Sequence, residues 1–172
     1  PNEKFSFGGF GIVNNSETII RTESRTLYNL SGITEDRDIN TVQESTQGIV
    51  KLNMSYIPSP RLQLDYDVIA KRNNIAESTD VNSTARASAD TELSQTPVSI
   101  NQNVNAYYTL NDRNIFAVES QFLYQENDPL FNSESEDQPF AVLPTDPTQD
   151  LFNIFQFKNN NTKKFDFKLD YY

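Results

Sequence analysis

The chemistry available to this chain rests on carboxylates and amides that recur at alternate positions. Asp65, Asp67, Asn103, Asn105, Glu119, Asp166 and Lys168 all sit in runs where every second residue is apolar, as in Leu64-Asp65-Tyr66-Asp67-Val68 and Phe165-Asp166-Phe167-Lys168-Leu169. Side chains of this kind order water, hydrogen-bond polar solutes and attract cations. They do not break bonds without a partner of matched pKa. The 172 residues include no His, no Cys and no Trp, which removes imidazole acid–base chemistry, His-containing triads, thiolate nucleophiles and thiolate zinc sites. Glu134 and Glu136 form the one carboxylate pair to weigh for catalysis, and no suitable base accompanies them. The chain is therefore expected not to be an enzyme, and neither a cofactor nor a resident metal is expected.

Alternation at period two places those polar residues on strands, with one wet face and one apolar face. The clearest case is Gln47 to Lys71. Val50, Leu52, Met54 and Tyr56 alternate with polar residues, Ile57-Pro58-Ser59-Pro60 reverses the chain, and Leu62, Leu64, Tyr66 and Val68 resume the pattern. Each arm is about ten residues, longer than the five or six usual in soluble sheets and close to what a tilted strand needs to cross a bilayer. Only 36% of the chain is hydrophobic, and no apolar run approaches the length of a membrane helix. A transmembrane barrel needs apolar residues only at alternate positions, so the polarity does not exclude one. Disorder is confined to loops, because 12 Phe and 8 Tyr fall at periodic positions.

The expected strands are residues 4–13, 17–28, the two hairpin arms, 98–109, 114–125, 151–158 and 164–171. Gly8, Gly9 and Gly11 weaken the first and suggest a bulge or a close backbone approach. Short turns are expected near Asn15, Ser59, Asp112 and Asn160, and long polar loops over 29–45, 73–96 and 126–150. In the second strand Arg21, Glu23 and Arg25 share one side, where they line a wet interior or form a solvated cross-strand cluster. Asp36-Arg37-Asp38-Ile39-Asn40 has the opening of a calcium loop. Thr41 stands where its glycine belongs and Gln47 where its glutamate belongs, so a solvated loop is the better reading.

The resulting fold class is all-β: an antiparallel up-and-down transmembrane β-barrel segment of about eight strands, with short turns at one end and long loops at the other. Residues 1–172 read as a single barrel region and, with both ends in mid-sheet, as a fragment of a larger barrel. Aromatic girdles are expected from Tyr56, Tyr108, Phe116 and Phe165 beside short turns and from Tyr28 and Tyr124 beside long loops. Counting Asp and Glu against Lys and Arg, the three loop regions (30–45, 73–96 and 126–150) carry −3, −3 and −7, against −10 for the chain. An acidic outer rim of that kind attracts cations, including divalent ions shared with anionic lipid, and not nucleic acid. Alternation alone does not say which face is inside. A soluble sandwich buries the apolar face, and a membrane barrel turns it outward and wets Asp65, Asp67, Asn103, Asn105, Glu119, Asp166 and Lys168 in its lumen.

Three stretches carry a family resemblance. Tyr56-Ile57-Pro58-Ser59-Pro60-Arg61-Leu62-Gln63-Leu64-Asp65-Tyr66-Asp67, Asn101-Gln102-Asn103-Val104-Asn105-Ala106-Tyr107-Tyr108-Thr109-Leu110 and Glu136-Asp137-Gln138-Pro139-Phe140 resemble the barrel region of Bacteroidota TonB-dependent-receptor-like proteins of the carboxypeptidase-like regulatory domain type. The resemblance implies an outer-membrane location, lipid neighbours, nutrient or siderophore uptake energised through TonB, and a surface lipoprotein partner. It carries no plug, no TonB-contacting segment and no regulatory domain within these residues. Two other functions compete with a transporter wall: an outer-membrane barrel that anchors a surface complex, and a soluble all-β binding module.

Overall fold

Strands form where β-branched and aromatic residues recur at alternate positions, as in 50–56, 62–68, 114–124 and 164–171, and they run on from there through more polar sequence. The computed structural model describes residues 4–86, 88–136 and 151–172. They form one antiparallel sheet of β1 (Phe5–Tyr28), β2 (Ile33–Ser59), β3 (Leu62–Ser83), β4 (Ala89–Gln95), β5 (Val98–Asn111), β6 (Asn114–Asn127), β7 (Leu130–Ser135), β8 (Phe152–Phe157) and β9 (Asn160–Tyr171). The sheet curls like half of a barrel. No described helix is long and apolar enough to cross a membrane.

Nine strands make only six ribbons. Opposite β3, Arg72 faces Val98 and Ile75 faces Gln95, so β4 and β5 continue one another in a single register across Thr96-Pro97. In the same way β7 continues β6 across Asp128-Pro129, and β9 continues β8 across residues 158–159. Proline explains the first two breaks, since it has no N–H to give the ladder. The carbonyls of Pro97 and Pro129 still accept from Asn73 N at 3.0 Å and Lys158 N at 3.1 Å.

These ribbons correct the expected strand map. No turn forms at Asn15, which lies in mid-strand opposite Thr46, and β1 pairs with β2 without a slip from Phe5–Tyr56 to Tyr28–Ile33. The expected bulge at the glycines is a close approach instead: a Cβ on Gly9 would sit 2.8 Å from the Lys51 carbonyl oxygen. Asn160 marks an in-line break and not a reversal. Of the expected long loops, 33–45 belongs to β2 and 73–83 to β3, leaving short connections at 29–32 and 84–88; the first turns on Gly32, at φ 69°. The third loop is strand as far as Ser135, and Asp137, Asp146 and Asp150 lie outside the described residues. Thr, Ser, Asn and Asp made these stretches look like loops, yet residues 33–45, 73–83, 89–95 and 130–135 are paired in the ladder.

Among the described residues the sheet has no second layer and almost no core. Ala117, 4% exposed, is its one buried apolar residue. Leu52, Leu64, Val104 and Phe167, which a soluble sandwich would gather in a dry centre, are 38%, 37%, 44% and 61% exposed.

Candidate functional site

Antiparallel partners project to the same side of a sheet, so the pairing fixes which side chains share a face. One face, named here for Leu52, gathers Phe5 and Phe7 from β1, Val50, Leu52, Met54 and Tyr56 from β2, and Leu64, Tyr66 and Val68 from β3. It continues through Ile100, Val104 and Ala106 of β5, Val118 and Phe122 of β6, and Phe165, Phe167 and Leu169 of β9. The band runs from Leu62 to Ala70 on β3, roughly 26 Å along the strand at about 3.3 Å per residue. Gln102, the amide within it, accepts a hydrogen bond from the Tyr66 hydroxyl at 3.1 Å. Below, Tyr108, Phe116 and Tyr171 lie side by side, with Phe116 and Tyr171 ring centres 5.0 Å apart; Phe5 meets Tyr56 edge-on at 6.4 Å. Above, Tyr124 lies opposite Lys163, whose ammonium is 5.7 Å from the ring centre, and Arg72 and Glu126 follow.

Two expected girdle residues fall elsewhere. Phe165 pairs with Phe122 inside the band, on the level of Val68 and well away from the lower rim at Phe116. Tyr28 lies on the other face, far up β1, because that ribbon runs on where a loop was expected.

The opposite face, named for Asn53, carries the polar set. Asp65 stands opposite Asn105, Asp67 opposite Asn103, Asn105 opposite Glu119, and Glu119 opposite Lys168, with Asp166 one pleat away facing Gln121. Asp67, Asn103, Asn105, Glu119, Asp166 and Lys168 line one open depression of about 440 Å³, and Asp65 borders it, held by Gln63 Nε2 at 2.7 Å. The Lys168 ammonium reaches Asp170 at 2.5 Å. Gln121, expected on the same face as Glu119, lines the same depression and donates to Asn101 at 3.1 Å. The arrangement presents acceptors and donors in rows to whatever fills the space in front of it. It places no nucleophile against a base, and among the described residues no group of three or more acidic side chains is set to hold a metal ion.

Above the band the two faces change character. On the Leu52 face Arg25 grips Asp36 at 2.5 and 2.9 Å, and Arg21 grips Asp38 at 3.0 and 3.3 Å and Glu23 at 3.0 Å. Arg21, Glu23 and Arg25 are thus an exposed cross-strand cluster with Asp36 and Asp38 on the face opposite the polar set. The same pairing undoes the calcium-loop likeness, since residues 36–40 run extended and cannot curl around an ion. The Arg25 hydrogen bond, reinforced by its charge, holds the Asp36 carboxyl below the usual range, and Asp36 in turn raises Arg25. On the Asn53 face, Glu35 is buried and accepts the hydroxyls of Tyr28 at 2.5 Å and Ser83 at 2.8 Å. These two bonds, with Arg86 and Arg37 nearby, lower its pKa against the opposing effect of burial. Nothing in the sequence marked Glu35 as a buried residue, because its surroundings read as loop.

No protein family and no curated protein matches the sequence. A solved structure does match in shape: the ferric yersiniabactin uptake receptor FyuA from Yersinia pestis, with a TM-score of 0.58 over 98% of this chain and 23% of that chain, at 8% identity. The fold is shared with a segment of that receptor. This chain spans less than a quarter of the receptor's length.

Proposed function

We propose that this chain is a section of the wall of an outer-membrane β-barrel of the TonB-dependent receptor type, serving nutrient uptake. The Leu52 face meets lipid in this reading, and Asp65, Asp67, Asn103, Asn105, Glu119, Asp166 and Lys168 face a water-filled or plugged lumen. One observation carries it: an apolar band as long on β3 as a tilted strand needs to cross a bilayer, edged by aromatic rings, on a sheet with no layer among the described residues to cover it. In water so large a contiguous apolar surface would drive aggregation, and in lipid it is at home. The shape shared with an uptake receptor supports the same reading.

Lipid also demands that no ladder edge be left bare. The outer edge of β1 and the edge formed by β8 and β9 have no partner strand among the described residues, and six ribbons are fewer than the eight or so of the smallest barrels. Further strands therefore complete the wall on both sides. Outer-membrane lipid is the direct partner, and TonB and a surface lipoprotein are those the family resemblance implies.

Single-cysteine labelling tests the orientation, since the chain has no Cys. In outer-membrane vesicles, Val104→Cys and Leu52→Cys should resist a water-soluble maleimide and react with a lipid-soluble one, and Asn103→Cys and Asn53→Cys should do the reverse. Equal labelling of all four positions by the water-soluble reagent would reject the lipid-facing band. If the band holds but deletion leaves uptake of every nutrient tested intact, the barrel anchors a surface complex instead.

A further inference from the structure

The tips of two neighbouring hairpins meet on one carboxylate. Glu35, near the top of β2 on the Asn53 face, has a side chain only 8% exposed. From the end of β1, Tyr28 donates its hydroxyl to Oε2 at 2.5 Å; from the end of β3, Ser83 donates to Oε1 at 2.8 Å. A third partner follows β3. Arg86 brings Nε to 3.8 Å from Oε1, and its Nη2 donates to the Tyr28 hydroxyl at 3.4 Å. Ser83 Oγ also accepts the backbone N–H groups of Ala85 at 3.2 Å and Arg86 at 3.1 Å, so the bond to Glu35 is coupled to the shape of that connection. Beside it, Asp36 and Thr84 exchange two bonds, Asp36 N to Thr84 Oγ1 at 2.9 Å and Thr84 N to the Asp36 carbonyl at 3.0 Å.

We propose that Glu35 is a latch that locks the β1–β2 tip to the β3–β4 tip, so that the upper rim of the sheet moves as one body while the carboxylate is charged and comes apart when it is not. Strand ends fray unless something ties them, and neither tip has apolar packing to do so. A carboxylate accepts at both oxygens at once, so it is the one group here able to take Tyr28 and Ser83 together. Protonation turns one of its oxygens into a donor facing a hydroxyl that is already donating. The charged or titratable groups acting on Glu35 are Tyr28 of β1, Arg37 of β2 and Arg86 of the connection, and both arginines favour the charged form. The latch is therefore closed at neutral pH and opens only under acid.

Spin labels at Leu30→Cys and Ala85→Cys, one on each tip, read the latch in the full protein in membranes. At neutral pH the parent should give a single narrow interlabel distance, and Glu35→Gln should lose that peak to a broad distribution. Acid should broaden the parent and leave Glu35→Gln as it was. A narrow distance in Glu35→Gln at neutral pH, or a parent indifferent to acid, overturns the proposal. Tyr28→Phe removes one bond and keeps the carboxylate, so it should broaden the distance partly; if Glu35→Gln does not assemble, an unchanged Tyr28→Phe overturns the latch by itself.

Discussion

The lower and upper halves of the same ribbons, continuous in register, dress their two faces in opposite ways. In lower β3 the even positions Leu62, Leu64, Tyr66 and Val68 are apolar and the odd positions Gln63, Asp65 and Asp67 are polar. In upper β3 the even positions Asn74, Ser78, Asp80 and Asn82 are polar with only the small Ala76 among them, and the larger apolar residues Ile75 and Val81 are odd, beside Glu77 and Thr79. The pleat never slips, as the unbroken pairing with β2 from Arg37–Ser83 to Tyr56–Leu64 shows. What changes is the surroundings each face must satisfy. On the Leu52 face the band of Leu, Val and Phe ends at the level of Tyr124, Lys163 and Arg72, and beyond the Ile19–Val42 pair, further up β1 and β2, a ladder of Arg, Asp and Glu takes its place. A backbone at constant register thus records a boundary between two solvents, and alternation has to be read for phase as well as for presence.

The largest test of that boundary is charge placed on the Leu52 face at different heights. Leu52→Arg or Leu64→Arg, in the band, should cost about 2 to 4 kcal/mol in reversible unfolding from bilayers, as expected for a charge near the midplane. Asn53→Arg and Gln63→Arg, one residue along on the opposite face, should be tolerated. The sharper half of the comparison is Ile19→Arg or Val42→Arg, which pair with each other on the same face above the band. Both should stay within about 0.5 kcal/mol of the parent, as for other exposed surface changes. If an arginine at Ile19 costs as much as one at Leu52, the boundary is misplaced and lipid reaches the charged ladder.

That phase change also explains what could be read in advance. The hairpin from Gln47 to Lys71, the turn at Asp112, the antiparallel all-β class and the grouping of Asp65, Asp67, Asn103, Asn105, Glu119, Asp166 and Lys168 on one face all follow from period two in the lower half. The upper half was opaque. Its Asp36, Asp38, Asp80 and Asp90 are poor strand formers that a water-facing side chain tolerates, and its few apolar residues fall on both faces, Ile39, Ile75 and Val81 out of phase with those below and Ile19 and Val42 in phase. A reader who follows one phase along β2 or β3 sees the pattern end and writes a loop. Glu35 was lost with it, because its burial depends on Tyr28 and Ser83, which come close only once both hairpins are built.

Acid should separate the halves as well, by a smaller amount. Asp36, held by Arg25, and Glu35, held by Tyr28 and Ser83, both have folded pKa values below their ordinary ones. Such groups contribute stability that is present in full above the unfolded pKa and lost as pH falls through the folded one. The upper ribbons should therefore lose amide protection first as pH drops below the ordinary carboxylate range, while the apolar band keeps its own. Hydrogen exchange resolved by peptide measures this directly. Loss of protection in both halves at the same pH would mean that the sheet responds as one unit and the ion pairs have no local role.

The smallest effect should come from the prolines that interrupt the ladder between the halves. Pro97 lies across from Asn73 and Pro129 from Lys158. Each takes a hydrogen bond at its carbonyl and can return none from its nitrogen. Pro97→Ala would restore a donor facing the Asn73 carbonyl and join β4 to β5 without a change of register, since Arg72–Val98 and Ile75–Gln95 are already in step. One added backbone bond at a partly solvated position is worth about 0.5 to 1.5 kcal/mol, and the lost rigidity of proline in the unfolded chain offsets up to about 1 kcal/mol of it. Global stability should hardly move. Exchange of the Asn73 amide, which already donates to residue 97, should slow, because a neighbouring bond now supports it. If Pro97→Ala leaves that amide unchanged, the break is set by the change of solvent at this level, and proline merely occupies a place where the ladder is already weak.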